Sequence, residues 1–162
     1  MVGRATALPT APNATHGGTP VGTHVACLCA AWCRLCDDYR KVLREVGAAL
    51  ATEKAADLAA ATASAMSSDL AWPWTALHWH WIDIEDEADL LGEVDVETFP
   101  TLVIADAAAV RFAGPVMPQH DTLRRLLRVT VVDAQADERW PAVDPAIEAF
   151  AARLRQRPGD TI

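Results

Sequence analysis

Two cysteines separated by two residues, Cys33 and Cys36, are the feature that most constrains this chain. They follow Trp32 at the point where an extended apolar run, residues 21–30, gives way to helical spacing. A helix start offers unpaired N–H groups and a partial positive charge, which stabilise a thiolate placed there. Cys36 lies one helical turn later, close enough to form a disulfide with Cys33. The spacing therefore predicts a dithiol that cycles between a reduced and an oxidised state.

Length and charge narrow the class of protein further. The 162 residues are 51% hydrophobic, enough for one domain with its own core and some extra length. The net charge of −8 argues against nucleic acid or an anionic membrane as the main partner, because both attract basic surfaces. No segment approaches the roughly 20 apolar residues of a membrane-spanning helix. Prolines and glycines interrupt the N-terminus where a secretory signal would be apolar. We therefore expect a soluble, cytoplasmic protein.

The cysteines are clustered. All four, Cys27, Cys29, Cys33 and Cys36, fall within ten residues, whereas a secreted disulfide scaffold spreads its cysteines to tie distant loops together. The cluster also contains four soft ligands, so a zinc or iron–sulfur site is one alternative. We interpret Cys27 and Cys29 as buried core residues, although Cys29 could instead form a regulatory bond or adduct.

The apolar pattern predicts an alternation of strands and helices. The expected strands are residues 21–30, 77–84, 101–105 and 110–113. The first expected helix begins at Leu35, and the second spans residues 86–92. The third contains Leu123, Leu126 and Leu127, and the fourth follows a cap at Asp144 with Pro145 in its first turn. In the first helix, one face is expected to be buried: Leu35, Tyr39, Val42, Leu43, Val46 and Leu50. A parallel crossover followed by an antiparallel pair predicts a mixed sheet with helices on both faces.

Residues 21–129, about two thirds of the chain, resemble thioredoxin. The run from residue 30 to Cys36 is similar to the active-site segment of that family. Phe99-Pro100-Thr101 is similar to its cis-proline loop, and Gly114 stands where the family keeps a glycine before its last helix. Together with the cysteine pair, the proline and the glycine make the resemblance to this family far more specific than the cysteine pair would by itself.

The resemblance implies an α/β, thioredoxin-like three-layer fold and a disulfide oxidoreductase with a role in cell redox homeostasis. It makes Cys33 the attacking thiol and Cys36 the resolving thiol. It also implies a cis bond before Pro100, substrate pairing along the backbone of Phe99, and a contact surface shaped by Trp32. The implied partners are protein disulfide substrates and a separate reductase or small-thiol electron donor, with no bound organic cofactor.

The chain departs from the family at the active site. Arg34 and Leu35 replace the common Gly-Pro pair, and the positive charge of Arg34 beside the thiolate is expected to make the disulfide easier to reduce. Cys27 and Trp81 stand at the positions of a buried Asp and a Lys, and Cys29 replaces a Trp. The missing acid puts the resolving step in doubt, so a redox-inactive protein-binding module is a second alternative.

The resemblance also divides the chain. We expect residues 1–20 to be a flexible leader, residues 21–130 to be the thioredoxin-like domain, and residues 131–162 to be a C-terminal extension with one helix. The first strand and helix of the family are not evident in residues 1–20. His78 and His80 share one face of the second strand, where packing or exposure is the simpler interpretation than a metal site.

Overall fold

The computed structural model describes residues 22–63, 76–134 and 138–160. The expected leader, residues 1–20, lies outside these ranges. The described strands are β1 (Gly22–Cys29), β2 (Ala76–Asp83), β3 (Thr101–Ala105) and β4 (Val110–Pro115). The described helices are α1 (Arg34–Ala63), α2 (Ala88–Leu91), α3 (His120–Leu127), which continues into a π-helical turn at Arg128–Val132, and α4 (Pro145–Leu154).

The four described strands form one mixed sheet in the order β2-β1-β3-β4. β1 runs parallel to β2 and antiparallel to β3, and β3 is antiparallel to β4. Every residue of β1 is buried, because the strand is central and covered on both faces. Its side chains alternate between two cores: Val25, Cys27 and Cys29 face one, and Ala26 and Leu28 face the other.

The first core lies between the sheet and the helices α1 and α3. Its largest buried side chains from the helices are Tyr39, Leu43, Leu123 and Leu127. Residues 39, 43 and 46 of α1 recur at helical spacing, which brings one stripe of the helix onto the sheet. The predicted buried face of α1 is thus confirmed along most of its length.

The second core covers the opposite face of the sheet and depends on α4. Phe150, Ala151 and Leu154 are fully buried there against residues of β1, β2, β3 and β4. The helix begins as the sequence predicts, because the Asp144 carboxylate accepts a hydrogen bond of 2.7 Å from the Ala146 N–H. The helix of the expected C-terminal extension therefore closes the core of the domain.

Residues that follow α4 lie along the open edge of β2. The Asp160 N–H donates to the Trp79 carbonyl at 2.7 Å, and the Asp160 carboxylate accepts from the Trp81 N–H at 3.2 Å. Asp160 thus occupies backbone groups that an edge strand would otherwise present to solvent.

A glycine with positive φ ends α2 at the point where α2 contacts Arg153 of α4. Gly92 follows the last residue of α2 with φ +62°, a conformation that L side chains rarely adopt. Arg153 of α4 donates from Nε to the Leu90 carbonyl and from Nη2 to the Leu91 carbonyl, both at 2.7 Å. A Cβ at position 92 would lie 2.6 Å from that guanidinium, so a side chain at this position would displace the contact.

These elements confirm the predicted fold class. The protein has an α/β, thioredoxin-like three-layer fold. The helices α1 and α3 cover one face of the mixed sheet, and α2 and α4 cover the other face. Among the described residues, no helix has the length and apolarity needed to cross a membrane.

Candidate functional site

The site begins where β1 ends and α1 starts. Cys33 lies just before the first residue of α1 and is mostly buried, 8% exposed. The N–H of Cys36 lies 3.3 Å from Cys33 Sγ, so it donates a hydrogen bond to that sulfur. The same N–H donates to the Cys33 carbonyl at 3.0 Å, so the sulfur shares one N–H of the helix start with that carbonyl.

Cys36 lies one turn into α1 and is nearly inaccessible, 1% exposed. Burial raises the pKa of Cys36 well above its ordinary value, and the neighbouring thiols of Cys33 and Cys29 raise it further. All four cysteines are free thiols, so the structure corresponds to the reduced state.

A second pair of thiols lies beneath the first. Cys27 and Cys29 point to the same face of β1, with their sulfurs 3.4 Å apart. The hydrogen bond with Cys27 is the main cause that raises the pKa of Cys29, followed by burial. Both residues belong to the first core, as expected. No carboxylate stands at position 27 to help Cys36 lose its proton.

Two aromatic residues border these inner thiols. The Tyr39 ring is fully buried, and its hydroxyl finds no hydrogen-bond partner within residues 22–63, 76–134 and 138–160. Burial raises the pKa of Tyr39, and the nearby Cys27 and Cys29 raise it further. Trp81 pairs in register with Cys27 and packs against the first core, with the Arg40 guanidinium 5.0 Å from its ring centroid.

The loop before β3 lies beside the cysteine segment. The peptide bond between Phe99 and Pro100 is cis, as the resemblance implies. The Trp32 ring contacts the Phe99 ring edge-on, with centroids 5.5 Å apart. Trp32 is 66% exposed, and its Nε1–H donates to the Glu85 carboxylate at 3.4 Å. The structure thus brings the predicted residues Trp32, Cys33, Phe99 and Pro100 to one end of the sheet.

An apolar groove of about 410 Å³ lies next to this loop. It is lined by Leu35, Thr98, Phe99, Val116, Met117 and prolines 115 and 118. Leu35 is 49% exposed, so its prediction as a buried residue is wrong. The buried stripe of α1 is centred on Cys36 and Tyr39, and Leu35 falls at its margin, about 100° around the helix from Cys36.

Sequence reasoning missed two parts of this surface. Met117 is 63% exposed at the groove, and Glu85 holds the Trp32 indole. For Met117, the available sequence signal was an apolar residue in a proline-rich loop, since apolar residues in loops often mark contact surfaces. No sequence signal links Glu85 to Trp32, because the two residues meet only through the fold.

Three histidines of β1 and β2, His24, His78 and His80, form a cluster away from this end of the sheet. His24 Nδ1 and His80 Nε2 are 2.9 Å apart, and the His24 ring stacks on both His78 and His80. Burial lowers the pKa of His80 to about 4, and the neighbouring charge of His24 acts in the same direction. In the described part of the chain, neither histidines nor cysteines form a group of three or more ligands placed to hold a metal ion.

Fold and site together define an α/β protein of thioredoxin-like fold with a cysteine cluster at the start of its long helix. No known family model matches the sequence, and no curated protein matches it. Solved structures give distant likenesses. A malarial protein matches at 11% identity and TM-score 0.48, over 68% of this chain and 98% of that one. Human ERp44 matches at 11% identity and TM-score 0.46, over 68% of this chain and 28% of its own. The germline-specific thioredoxin Deadhead of Drosophila melanogaster matches at 14% identity and TM-score 0.45, over 67% of this chain and 81% of its own.

Proposed function

We propose that the protein is a thiol–disulfide oxidoreductase that reduces or exchanges disulfides in protein substrates through Cys33 and Cys36. The observation that carries the proposal is the position of Cys33 Sγ. This sulfur accepts a hydrogen bond of 3.3 Å from the Cys36 N–H at the start of α1. A helix start favours the thiolate, which is the form that attacks disulfides.

The reaction takes place in two exchanges. The Cys33 thiolate attacks one sulfur of a substrate disulfide, forms a mixed disulfide, and expels the other substrate sulfur as a thiolate. The Cys36 thiolate then attacks Cys33 Sγ, which closes the Cys33–Cys36 disulfide and releases the second substrate thiol. The protein has taken up the oxidising equivalent, and a reductase or small thiol returns it to the dithiol.

The groove supports a polypeptide substrate. Leu35, Phe99 and Met117 offer apolar contacts in this groove, and Trp32, which contacts Phe99, adds an exposed aromatic surface. An extended peptide here can pair with the backbone at Phe99, which is recognition by strand addition. We also propose a cytoplasmic location, in keeping with the clustered cysteines and the acidic charge.

The test uses insulin as a disulfide substrate and dithiothreitol as the electron donor. We expect Cys33→Ser to reduce turnover to the uncatalysed rate. When reduced Cys36→Ser is mixed with insulin in the absence of dithiothreitol, we expect a covalent adduct that later addition of dithiothreitol dissociates, because Cys33 still attacks but is not resolved. The two variants control for each other, since each removes one sulfur. Circular dichroism checks that both variants are folded. Undiminished turnover by Cys33→Ser would contradict the proposal.

A redox-inactive protein-binding module is the second candidate. It is favoured by the burial of Cys36 and by the direction of its pKa, because both slow the resolving step. Titration with mixtures of reduced and oxidised glutathione, with counting of free thiols, separates the two functions. The oxidoreductase loses two thiols reversibly, whereas the binding module keeps all four thiols at every glutathione ratio.

A further inference from the structure

The groove beside the cis-proline loop has an uncharged lining. Its residues are apolar except for Thr98, and they include Leu35, Phe99 and Met117. Apolar contacts of this kind accept many different sequences, because one apolar side chain can replace another with little loss of affinity. Selection among polypeptides therefore has to come from the charges that border the groove.

The segment that leads into this groove is strongly acidic. Residues 83–97 contain eight Asp and Glu residues and neither Lys nor Arg. Glu87 forms an ion pair with Arg157, and within the described ranges no other acid of this segment forms one. Most of the other carboxylates are exposed, so the segment presents uncompensated negative charge to solvent.

Two of these carboxylates are joined to the groove. Glu97 is exposed and directly precedes Thr98, which lines the groove. The Glu85 carboxylate accepts a hydrogen bond of 3.4 Å from Trp32 Nε1–H, and the Trp32 ring contacts Phe99, another lining residue. The first carboxylate is thus held beside the groove by the backbone of the loop, and the second by the contact between the two aromatic rings.

The helix starts beside the groove do not reverse the sign of this charge. Arg34 is exposed next to Leu35, but the exposed Asp37 and Asp38 follow it in α1, and Asp121 lies in the first turn of α3. A second copy of this chain, which has a net charge of −8, would be repelled by such a surface. The charges therefore favour a cationic partner.

We propose that the groove selects basic polypeptides, in which apolar residues fill the groove and Lys or Arg residues beside the reacting cysteine face Glu97 and Glu85. The inference deepens the proposed function and rests on it, because the bound segment is the one whose disulfide Cys33 attacks. Charges at the rim of an interface act mainly on the rate of encounter and on the choice of partner. Glu85 and Glu97 are therefore specificity residues that take no part in the exchange itself.

The test follows a single exchange step. The probes are apolar peptides with one cysteine joined by a disulfide to 2-nitro-5-thiobenzoate, and the cysteine is flanked by two lysines, two serines or two glutamates. The Cys33 thiolate attacks the peptide sulfur, the Cys33–peptide disulfide forms, and the peptide–thiobenzoate bond breaks with release of the coloured thiolate. The reduced full-length Cys36→Ser variant is used, so that the adduct is not resolved. Each rate is divided by the rate of the same peptide with N-acetylcysteine, which corrects for the intrinsic reactivity of its disulfide.

The corrected rates should follow the charge of the peptide. We expect the lysine peptide to react about tenfold faster than the glutamate peptide at low salt, with the serine peptide between them. The difference should disappear near 1 M salt, because the carboxylates are exposed and therefore screened. Equal corrected rates at low salt overturn the proposal. A preference for the glutamate peptide also overturns it, and would show that Arg34 governs the choice of substrate.

Matched variants locate the preference. In the Cys36→Ser background, Glu97→Gln and Glu85→Gln should each lower the ratio of the lysine to the glutamate rate by about two- to fivefold. Glutamine at position 85 keeps an oxygen that can accept from Trp32, so the loss reports the charge. Glu148→Gln makes the same change in net charge on α4, which covers the other face of the sheet, and should leave the ratio unchanged. An equal effect of all three variants assigns the preference to net charge and overturns the proposal.

The outcome can be separated from that of the proposed function, because the probe reaction needs the Cys33 thiol and no turnover. Equal rates for the three peptides, together with normal turnover of insulin, overturn the charge selection and leave the oxidoreductase intact. A failure of all three peptides to release thiobenzoate contradicts attack by Cys33, and overturns both proposals.

Discussion

The ring of Trp32 contacts the ring of Phe99 edge-on, with a centroid separation of 5.5 Å. The contact joins the segment before Cys33 to the loop before β3, although 67 positions separate the two residues in the sequence. Phe99 also lines the apolar groove, so the contact places the exposed Trp32 ring beside one wall of that groove. The proposed substrate surface therefore combines two segments that lie far apart in the sequence.

Removal of the indole tests this contact. We expect Trp32→Ala to lower kcat/KM for insulin by about two- to tenfold, the usual size of an aromatic pair interaction. The change should appear mainly as a higher KM, and Trp32→Phe should restore most of the loss. Reduction of a small aromatic disulfide serves as the control, because it does not fill the groove. An equal loss with both substrates would contradict a role in polypeptide recognition.

The resolving step should depend steeply on pH. Burial raises the pKa of Cys36, so the thiolate fraction is small at neutral pH and increases about tenfold per pH unit. We expect the rate of release from a preformed insulin adduct to rise through pH 6–9 without a plateau. Stopped-flow measurement of product release checks this prediction. The Cys36→Ser adduct gives the background rate, and a plateau below pH 8 would show that another group controls the step.

Arg34 should favour attack by Cys33 through its charge. Its side chain is exposed at the first position of α1, where screening keeps such an effect small. We expect Arg34→Ala to slow alkylation of Cys33 by iodoacetamide about two- to fourfold at low salt, with the difference lost near 1 M salt. Arg34→Lys should retain the rate. Lys41→Ala, an exposed cation further along α1, is the matched control and should have little effect.

The second core should depend on α4. Leu154 is fully buried between α4 and the sheet, so Leu154→Ala should lower the free energy of unfolding by about 3 kcal/mol. The same substitution at Leu35, which is half-exposed, should cost less than about 1 kcal/mol. Urea denaturation of both variants measures the difference. Equal costs at the two positions would show that α4 is not part of the folded core.

His80 should make the fold sensitive to mild acid. Burial and the charge of His24 lower its pKa to about 4, His78 and Arg157 act in the same direction, and Asp160 opposes them. In the unfolded chain the pKa returns to about 6.5. Between these values the unfolded chain binds a proton that the folded protein does not, so stability falls as pH decreases from about 6.5 to 4. The contribution lost is up to about 3 kcal/mol.

Replacement of His80 by glutamine isolates the contribution of this histidine to the acid sensitivity. Urea denaturation from pH 7 to pH 4 should show a smaller loss of stability for His80→Gln than for the wild type. His120→Gln is the matched control, because the side chain of His120 is 43% exposed and should leave the pH dependence unchanged. An unaltered pH profile in His80→Gln would assign the acid sensitivity to other groups.

Much of the architecture follows from local sequence. The apolar run of β1, the helical spacing after Cys33 and the Asp144-Pro145 start of α4 each depend on interactions between residues close in the chain. For the same reason the cysteine pair could be placed at a helix start before any coordinates were considered. The exposure of the Leu35 side chain could not be predicted in this way, because the margin of a buried helix face depends on how the helix is rotated against the sheet.

The sequence by itself determined the order of elements and the position of Cys33 and Cys36, since helix starts and strand periodicity are set by neighbouring residues. Only the tertiary structure decided that Trp32 meets Phe99 and that α4 closes the second core. These contacts join residues on different elements, and the packing of helices on the two faces of the sheet sets their distances.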